Sequence, residues 1–227
     1  MVIILGNQKG GVGKSELSYS LASFLAEDHK VILIDTDKQR TSSKRAFARS
    51  QLGGDMSFPV VEQSIVPVQT IKQLRTSYDV VVVDLPAGGY ANIKDLAPIA
   101  DLWICPTQAS QPDLDSTVEL AQAFDAMAHL HPSGRIPLSI VINKVSSASK
   151  SVEGEDAIAY FAHAIPNVPV LKTPIRDRKV WRDAHKSART IFEMPPRERA
   201  KAVQEFDQFV ADAMAAYSSF NSTTTVQ

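Results

Sequence analysis

The sequence predicts an α/β fold: one domain built on a mostly parallel, twisted sheet with helices on both faces. Three observations carry that expectation. Short β-branched aliphatic runs recur along the chain without polar alternation, as strands covered on both faces require. Helical patterns separate those runs, and right-handed crossovers between parallel strands need such helices. The chain has 227 residues, 44% of them hydrophobic, which suffices for one sizeable core.

The elements follow in order. Val2–Leu5 is an aliphatic run that stops at Gly6 and reads as a buried strand. Leu17, Leu21, Phe24 and Leu25 recur at helical spacing between Ser15 and Ala26. Further strand-like runs lie at 31–34 before Asp35, at 80–83 before Asp84, at 102–105, at 138–142 before Asn143, and at 168–171. Helical patterns fall at roughly 41–50, 68–76, 90–99, 115–130 and 154–164, and segment 51–67 is the least regular. The last helix starts at Pro195-Pro196, a favourable first turn, and spans 196–217. It carries Val203, Phe206, Val210, Met214 and Tyr217 on one face. Residues 1–217 therefore form the domain, and 218–227, polar and uncapped, read as a flexible tail.

Composition narrows the function. With 24 Lys+Arg against 25 Asp+Glu the net charge is -1, which excludes a globally basic nucleic-acid coat but leaves room for a local basic patch. The one cysteine, Cys105, allows neither an internal disulfide nor a Cys-rich metal site, and reads as a buried strand residue rather than a nucleophile. No apolar run approaches the ~18 residues of a membrane span. The opening run lacks the basic flank of a signal peptide, so a soluble cytoplasmic chain is expected.

The strongest signal is Lys9-Gly10-Gly11-Val12-Gly13-Lys14-Ser15, directly after the first strand and directly before a helix. That is the setting of a phosphate loop. Glycines let the backbone close around an anion with its N–H groups inward, and the helix start adds its positive dipole end. Lys14 can reach the β- and γ-phosphates, and the Ser15 hydroxyl suits Mg²⁺. Asp84 stands where a carboxylate can hold a magnesium-bound water.

The loop departs from the general form, with Gln8 at the place of the first glycine and a second lysine, Lys9, ahead of the others. In this it resembles the deviant phosphate loop of the ParA/MinD family of ATPases, a P-loop NTPase fold. The resemblance continues at Asp35-Thr36-Asp37-Lys38-Gln39, at Asp84-Leu85-Pro86-Ala87 and at Asn143-Lys144, in the family's order. The short chain is most similar to the small ParA proteins of plasmid partition.

The resemblance implies ATP and Mg²⁺ as cofactors, held between two protomers of a homodimer. It implies that Lys9 reaches across to the second copy's nucleotide, supplying a second cation as an arginine finger does. Asp37 matches the carboxylate that positions the attacking water, and Asp35, Asp84 and Ser15 serve the metal. Asn143, with Lys144, matches the adenine contact, and Pro174 and Ile175 match a loop closing over the base. Two positions depart from the family. Glu16 stands where a hydroxyl residue usually touches the α-phosphate; its carboxylate either repels nucleotide or turns away. Lys38 replaces a proline in the switch segment.

Arg176, Arg178, Lys179, Arg182, Lys186 and Arg189 crowd one short segment against Asp177 and Asp183. The spacing of Lys179, Arg182, Lys186 and Arg189 puts four cations on one helical face. Nonspecific double-stranded DNA is the natural partner, and the family resemblance points the same way. A ParB-like or cargo-adaptor protein that stimulates hydrolysis is the second implied partner, with a plasmid or another large body as cargo and a nucleoid-associated location. The C-terminal helix lacks the basic cluster of a membrane anchor, so no membrane partner is expected. The alternative is a small-molecule synthetase or kinase of the dethiobiotin-synthetase type, which leaves the basic stripe without a role.

Overall fold

The computed structural model describes residues 1–63, 68–88, 91–148 and 150–224. A seven-stranded sheet runs in the order β3-β2-β4-β1-β5-β6-β7. The strands are β1 Val2–Leu5, β2 Val31–Asp35, β3 Val60–Glu62, β4 Val80–Asp84, β5 Leu102–Thr107, β6 Leu138–Val145 and β7 Ile175–Arg176. Every neighbouring pair is parallel. The helices are α1 Lys14–Leu25, α2 Thr41–Gln51, α3 Val68–Leu74, α4 Ala91–Leu96, α5 Gln111–Ala126, α6 Glu153–Ala164, α7 Lys179–Lys186 and α8 Pro196–Thr224.

Alternate strand residues feed two cores. Val2, Ile4, Val81, Val83, Trp103 and Cys105 face α3–α6 and meet Leu96, Phe124 and Phe161. Ile3, Leu5, Val80, Val82, Leu102 and Ile104 face α1, α7 and α8 and meet Leu17, Trp181, Phe206 and Phe209. Burial on both faces is why these runs show no polar alternation.

Five expectations are corrected. Segment 51–67 contains the edge strand β3, whose pattern of half-buried and exposed residues hides it; residues 64–67 lie outside the described ones. Segment 168–171 forms no strand: only Val170 bridges to Ile140, and Pro169 has no N–H to extend a ladder. The fifth helix begins at Gln111, with Pro112 in its first turn, and a 3₁₀ turn follows it. Most of the supposed tail is helical, since α8 runs to Thr224 and Phe220 is buried; residues 225–227 lie outside the described ones. The helical pattern at 90–99 resolves into α4 and a 3₁₀ turn, with residue 90 outside the described set.

The apolar face of α8 is shifted from the expected one. Ala202, Phe206, Phe209 and Ala213 are fully buried, while Val203, Met214 and Tyr217 are half-buried at its border. This face packs on the sheet. Among the described residues no helix is long and apolar enough to cross a membrane.

Candidate functional site

The site lies at the carboxyl ends of β1, β2, β4 and β6. The chain crosses from one side of β1 to the other between β4 and β5, so β1 sits at the topological switch point where α/β sheets open a crevice. A cavity of about 1120 Å³ opens there.

The loop after β1 gets its shape from glycine. Gly11 and Gly13 have φ of 76° and 95°, in the left-handed region. A Cβ on Gly13 would lie 2.2 Å from Asn143 Nδ2, so no other residue fits. Gly13 also caps α1 without a side-chain hydrogen bond, which leaves the first N–H groups of the helix open to an anion. Lys14 is buried, and its Nζ donates to the Lys9 carbonyl at 2.8 Å. Burial lowers its pKa, while Asp84, Cys105 and Asp37 pull it back up. Asn143 and Lys144 brace the loop from β6: Nδ2 donates to Val12 O at 2.7 Å and Nζ to Gly11 O at 2.6 Å.

The carboxylates gather behind the loop. Asp35 and Asp84 are register partners on β2 and β4, and both are fully buried. Asp35 accepts the N–H of Asp37 at 3.1 Å and of Ser43 at 2.8 Å. Asp84 Oδ2 accepts the Ser42 hydroxyl at 3.0 Å, whereas Oδ1 has no partner among the described residues. Burial pushes the Asp84 pKa up to about 7 and Asp35 adds to it, while the Ser15 and Ser42 hydroxyls oppose the shift. A buried, orphaned carboxylate oxygen beside a serine hydroxyl is a donor set that fits a hard divalent cation. Asp37 lines the cavity, in a turn where it accepts the Gln39 N–H at 2.8 Å. Lys38 is exposed in that turn and lines the cavity.

Of the expected residues, Gly10, Gly11, Gly13, Lys14, Ser15, Glu16, Asp37, Asn143, Lys144 and Ile175 line the cavity. Pro174 does not; its ring packs where a Cβ on Gly154 would lie 3.0 Å away. Val12 is buried beneath the loop. Lys9 also lies outside the lining: its backbone N–H donates to Asn7 Oδ1 at 3.1 Å, and its ammonium has no partner among the described residues. Glu16 does not confront the loop with a free charge. Both its oxygens lie 2.9 Å from Arg45 Nη1, and His185 Nδ1 is 3.2 Å away. Burial raises its pKa, but hydrogen bonds from His185 and Arg45 outweigh this and leave it below the usual range.

The basic stripe is rearranged. α7 ends at Lys186 and Ala188 turns left-handed with φ 54°, so Arg189 lies beyond the helix rather than on its face. Lys179 pairs with Asp183, and Arg182 with Asp177 at 2.5 Å. Arg178 pairs with Glu205, and Arg176 donates to Ser146 O at 2.7 Å. Lys186 and Arg189 carry no ion pair among the described residues, while Arg176, Arg182 and Lys186 line the cavity. Trp181 finds its place in the core with Val180 and Ala184.

The family model described as CobQ/CobB/MinD/ParA nucleotide binding domain matches residues 3–191. The chain belongs to that family. Within it, the chain is similar to the maintenance of carboxysome distribution protein A of Halothiobacillus neapolitanus, 25% identical, with 93% of this chain and 95% of that protein covered. It is also similar to protein ParA of Rhizobium radiobacter, 27% identical, with 95% and 96% covered. A solved Cyanothece McdA variant in complex with ATP has the same fold, with a TM-score of 0.74, 13% identity, and 93% and 95% covered. Family membership and fold agree with the expected ParA/MinD resemblance and parallel sheet, and the site has the donors for ATP and Mg²⁺.

Sequence reasoning missed Thr36, Ser42, Ser43 and Arg45. Thr36 ties β2 to β4 by donating its hydroxyl to Asp84 O at 2.7 Å. The other three sit on α2, whose lack of an apolar stripe offered no signal.

Proposed function

We propose that the chain is an ATP-hydrolysing positioning ATPase. An ATP-dependent homodimer binds DNA without reading sequence, and a cargo-bound adaptor stimulates hydrolysis and releases it. The observation that carries this reading is Lys9: a lysine of the phosphate loop whose ammonium is unpaired among the described residues and lies outside its own protomer's cavity. Such a cation is available to the nucleotide of a second copy. The named roles of the relatives, carboxysome distribution and ParA, support cargo positioning.

The residues divide the work. The open N–H groups of α1 and Lys14 hold the phosphates, and Ser15 and Asp84 hold Mg²⁺ with Asp35 behind them. When bound, ATP with Mg²⁺ supplies a phosphoryl group transferable to water. Asp37 orients that water, which suffices because phosphoryl transfer is mostly positioning and electrostatics. Ile175 and Asn143 bound the base end of the cavity. Lys186 and Arg189, unpaired among the described residues, are the strongest DNA contacts of the basic segment; Arg178 and Arg176 are committed to internal partners.

The test measures ATP turnover with and without nonspecific duplex DNA, and DNA retention with ATP against ADP. Retention confined to the ATP state supports the reading. Retention indifferent to nucleotide, or turnover appearing only with a small-molecule acceptor, overturns it in favour of the synthetase-type alternative.

A further inference from the structure

α2 is an unusual helix for its place. It follows the Asp35–Asp37 segment, yet its buried residues are Ser42 and Arg45 alone, with Ala46 half-buried against the core. Its outer face is open, with Phe47 66% exposed. Its N-cap, Arg40, is left-handed and makes no side-chain cap bond. Hydrophobic packing therefore does little to fix it, and polar contacts set its position. Two of these reach the carboxylates: the Ser42 hydroxyl to Asp84 and the Ser43 N–H to Asp35. Two ion pairs hold the helix itself: Arg49 with Glu193 near its end, and Arg45 with Glu16 near its middle. The Arg45 side chain, 3% exposed, takes both oxygens of Glu16 through Nη1, lies 4.3 Å over the Tyr19 ring and donates from Nη2 to the Arg189 carbonyl.

Glu16 adjoins Ser15 in the first turn of α1. The contact therefore joins the phosphate-loop helix to the helix whose first turn holds Asp84 and Asp35. We propose that Glu16, acting through Arg45, is a positioning residue for the divalent metal: it sets α2 so that Ser42 and Ser43 hold the two carboxylates in place. The inference rests on the reading of Ser15, Asp84 and Asp35 as the metal end of the nucleotide site. It does not depend on hydrolysis, DNA or cargo. It also accounts for a carboxylate at a position where the family's loop has a hydroxyl: the charge serves α2.

The physical basis is that Arg45 is nearly sealed from water. A buried guanidinium that loses its carboxylate moves or recruits another partner, and α2, with so little apolar anchorage, moves with it. Groups that orient metal ligands typically alter metal affinity by about 10–100-fold when removed.

The test is calorimetric titration of ADP in EDTA and at rising Mg²⁺, for the parent chain, Glu16→Ala and Glu16→Gln. The Mg²⁺ concentration for half-maximal enhancement of ADP binding should rise about tenfold in Glu16→Ala, more than metal-free ADP affinity changes. Glu16→Gln, which keeps an acceptor for Arg45, should fall between. Amide exchange across 42–46 should quicken in Glu16→Ala while the sheet stays protected. In the parent chain, which no folding defect can obscure, adding Mg²⁺ to the ADP complex should slow exchange across 42–46. Unchanged Mg²⁺ dependence in a folded Glu16→Ala overturns the proposal. So does a loss confined to metal-free ADP affinity, which would place Glu16 on the phosphates, or parent-chain exchange at 42–46 that ignores Mg²⁺.

Discussion

Asp84 is a carboxylate whose surroundings oppose its charge. Burial and the neighbouring Asp35 push its pKa to about 7, and Oδ1 has no partner among the described residues. The native value lies above the unfolded one, so the folded chain keeps this proton longer than the unfolded chain does. Its contribution to stability is therefore most favourable at acid pH, declines as pH rises from about 4 to about 7, and is flat above that. In EDTA, Asp84→Asn should match the parent near pH 4 and exceed it above pH 7 by roughly 1–3 kcal/mol, the cost of an unsatisfied buried polar group. Urea midpoints across that range measure it, and a pH-independent difference would mean that folding does not raise the Asp84 pKa. Gly13 is constrained from the opposite side, by space. A methyl there meets Asn143 Nδ2 at 2.2 Å in a backbone region that alanine adopts at a cost. Gly13→Ala should abolish nucleotide binding measured by calorimetry and destabilise the fold by about 1–3 kcal/mol. Cys105 is the residue where chemistry is suppressed. Burial pushes its thiol up to about 12, so iodoacetamide should label it only as the chain unfolds.

At the scale of elements, α7 and its flanks divide into braces and free cations. Arg178, the N-cap of α7, is tied to Glu205 of α8, and Arg178→Ala should cost about 1.5–3 kcal/mol in a denaturant melt, the range for hydrogen bonds to charged groups. Lys186 and Arg189 have no such structural work. Replacing both with glutamate should leave the melt unchanged and lower the slope of log DNA affinity against log salt by about 2, near 0.9 per lost phosphate contact. An unchanged slope would put the DNA surface elsewhere. This division was not legible in the sequence, where six cations in one segment look alike; it depends on acids such as Glu205, 27 residues away. The interior strands were legible because burial on both faces leaves an unbroken aliphatic run. Edge strand β3 was not, because Val60, Val61 and Glu62 are half-buried or exposed. The end of α8 was hidden by polar composition: Ser218 and Ser222 bond back to the carbonyls of Met214 and Ser218, so serines that resemble a tail are helical. The site followed the same rule. The phosphate loop is contiguous and announced itself, whereas Arg45 meets Glu16 across 29 residues from a helix without an apolar stripe.

For the whole molecule, the issue is whether one protomer is enough. Lys14 is buried and aimed along its own loop, with the Lys9 carbonyl as its partner, so it belongs to the protomer's own phosphates. The Lys9 ammonium satisfies nothing among the described residues and does not line its own protomer's cavity. A twofold pair in which each loop faces the other copy's cavity would give that cation a phosphate and would make association depend on the triphosphate. The two lysines should then separate cleanly. Lys14→Ala should lose ATP binding outright. Lys9→Ala should bind ATP within a fewfold of the parent yet stay a monomer in analytical ultracentrifugation, under conditions where Asp37→Ala, with its water-positioning carboxylate removed, accumulates as an ATP-bound dimer. A fully dimeric Lys9→Ala would show that the second lysine has no part in assembly. A parent chain that remains monomeric with ATP and an inert Asp37 would remove the dimer itself, and with it the link between nucleotide state and DNA.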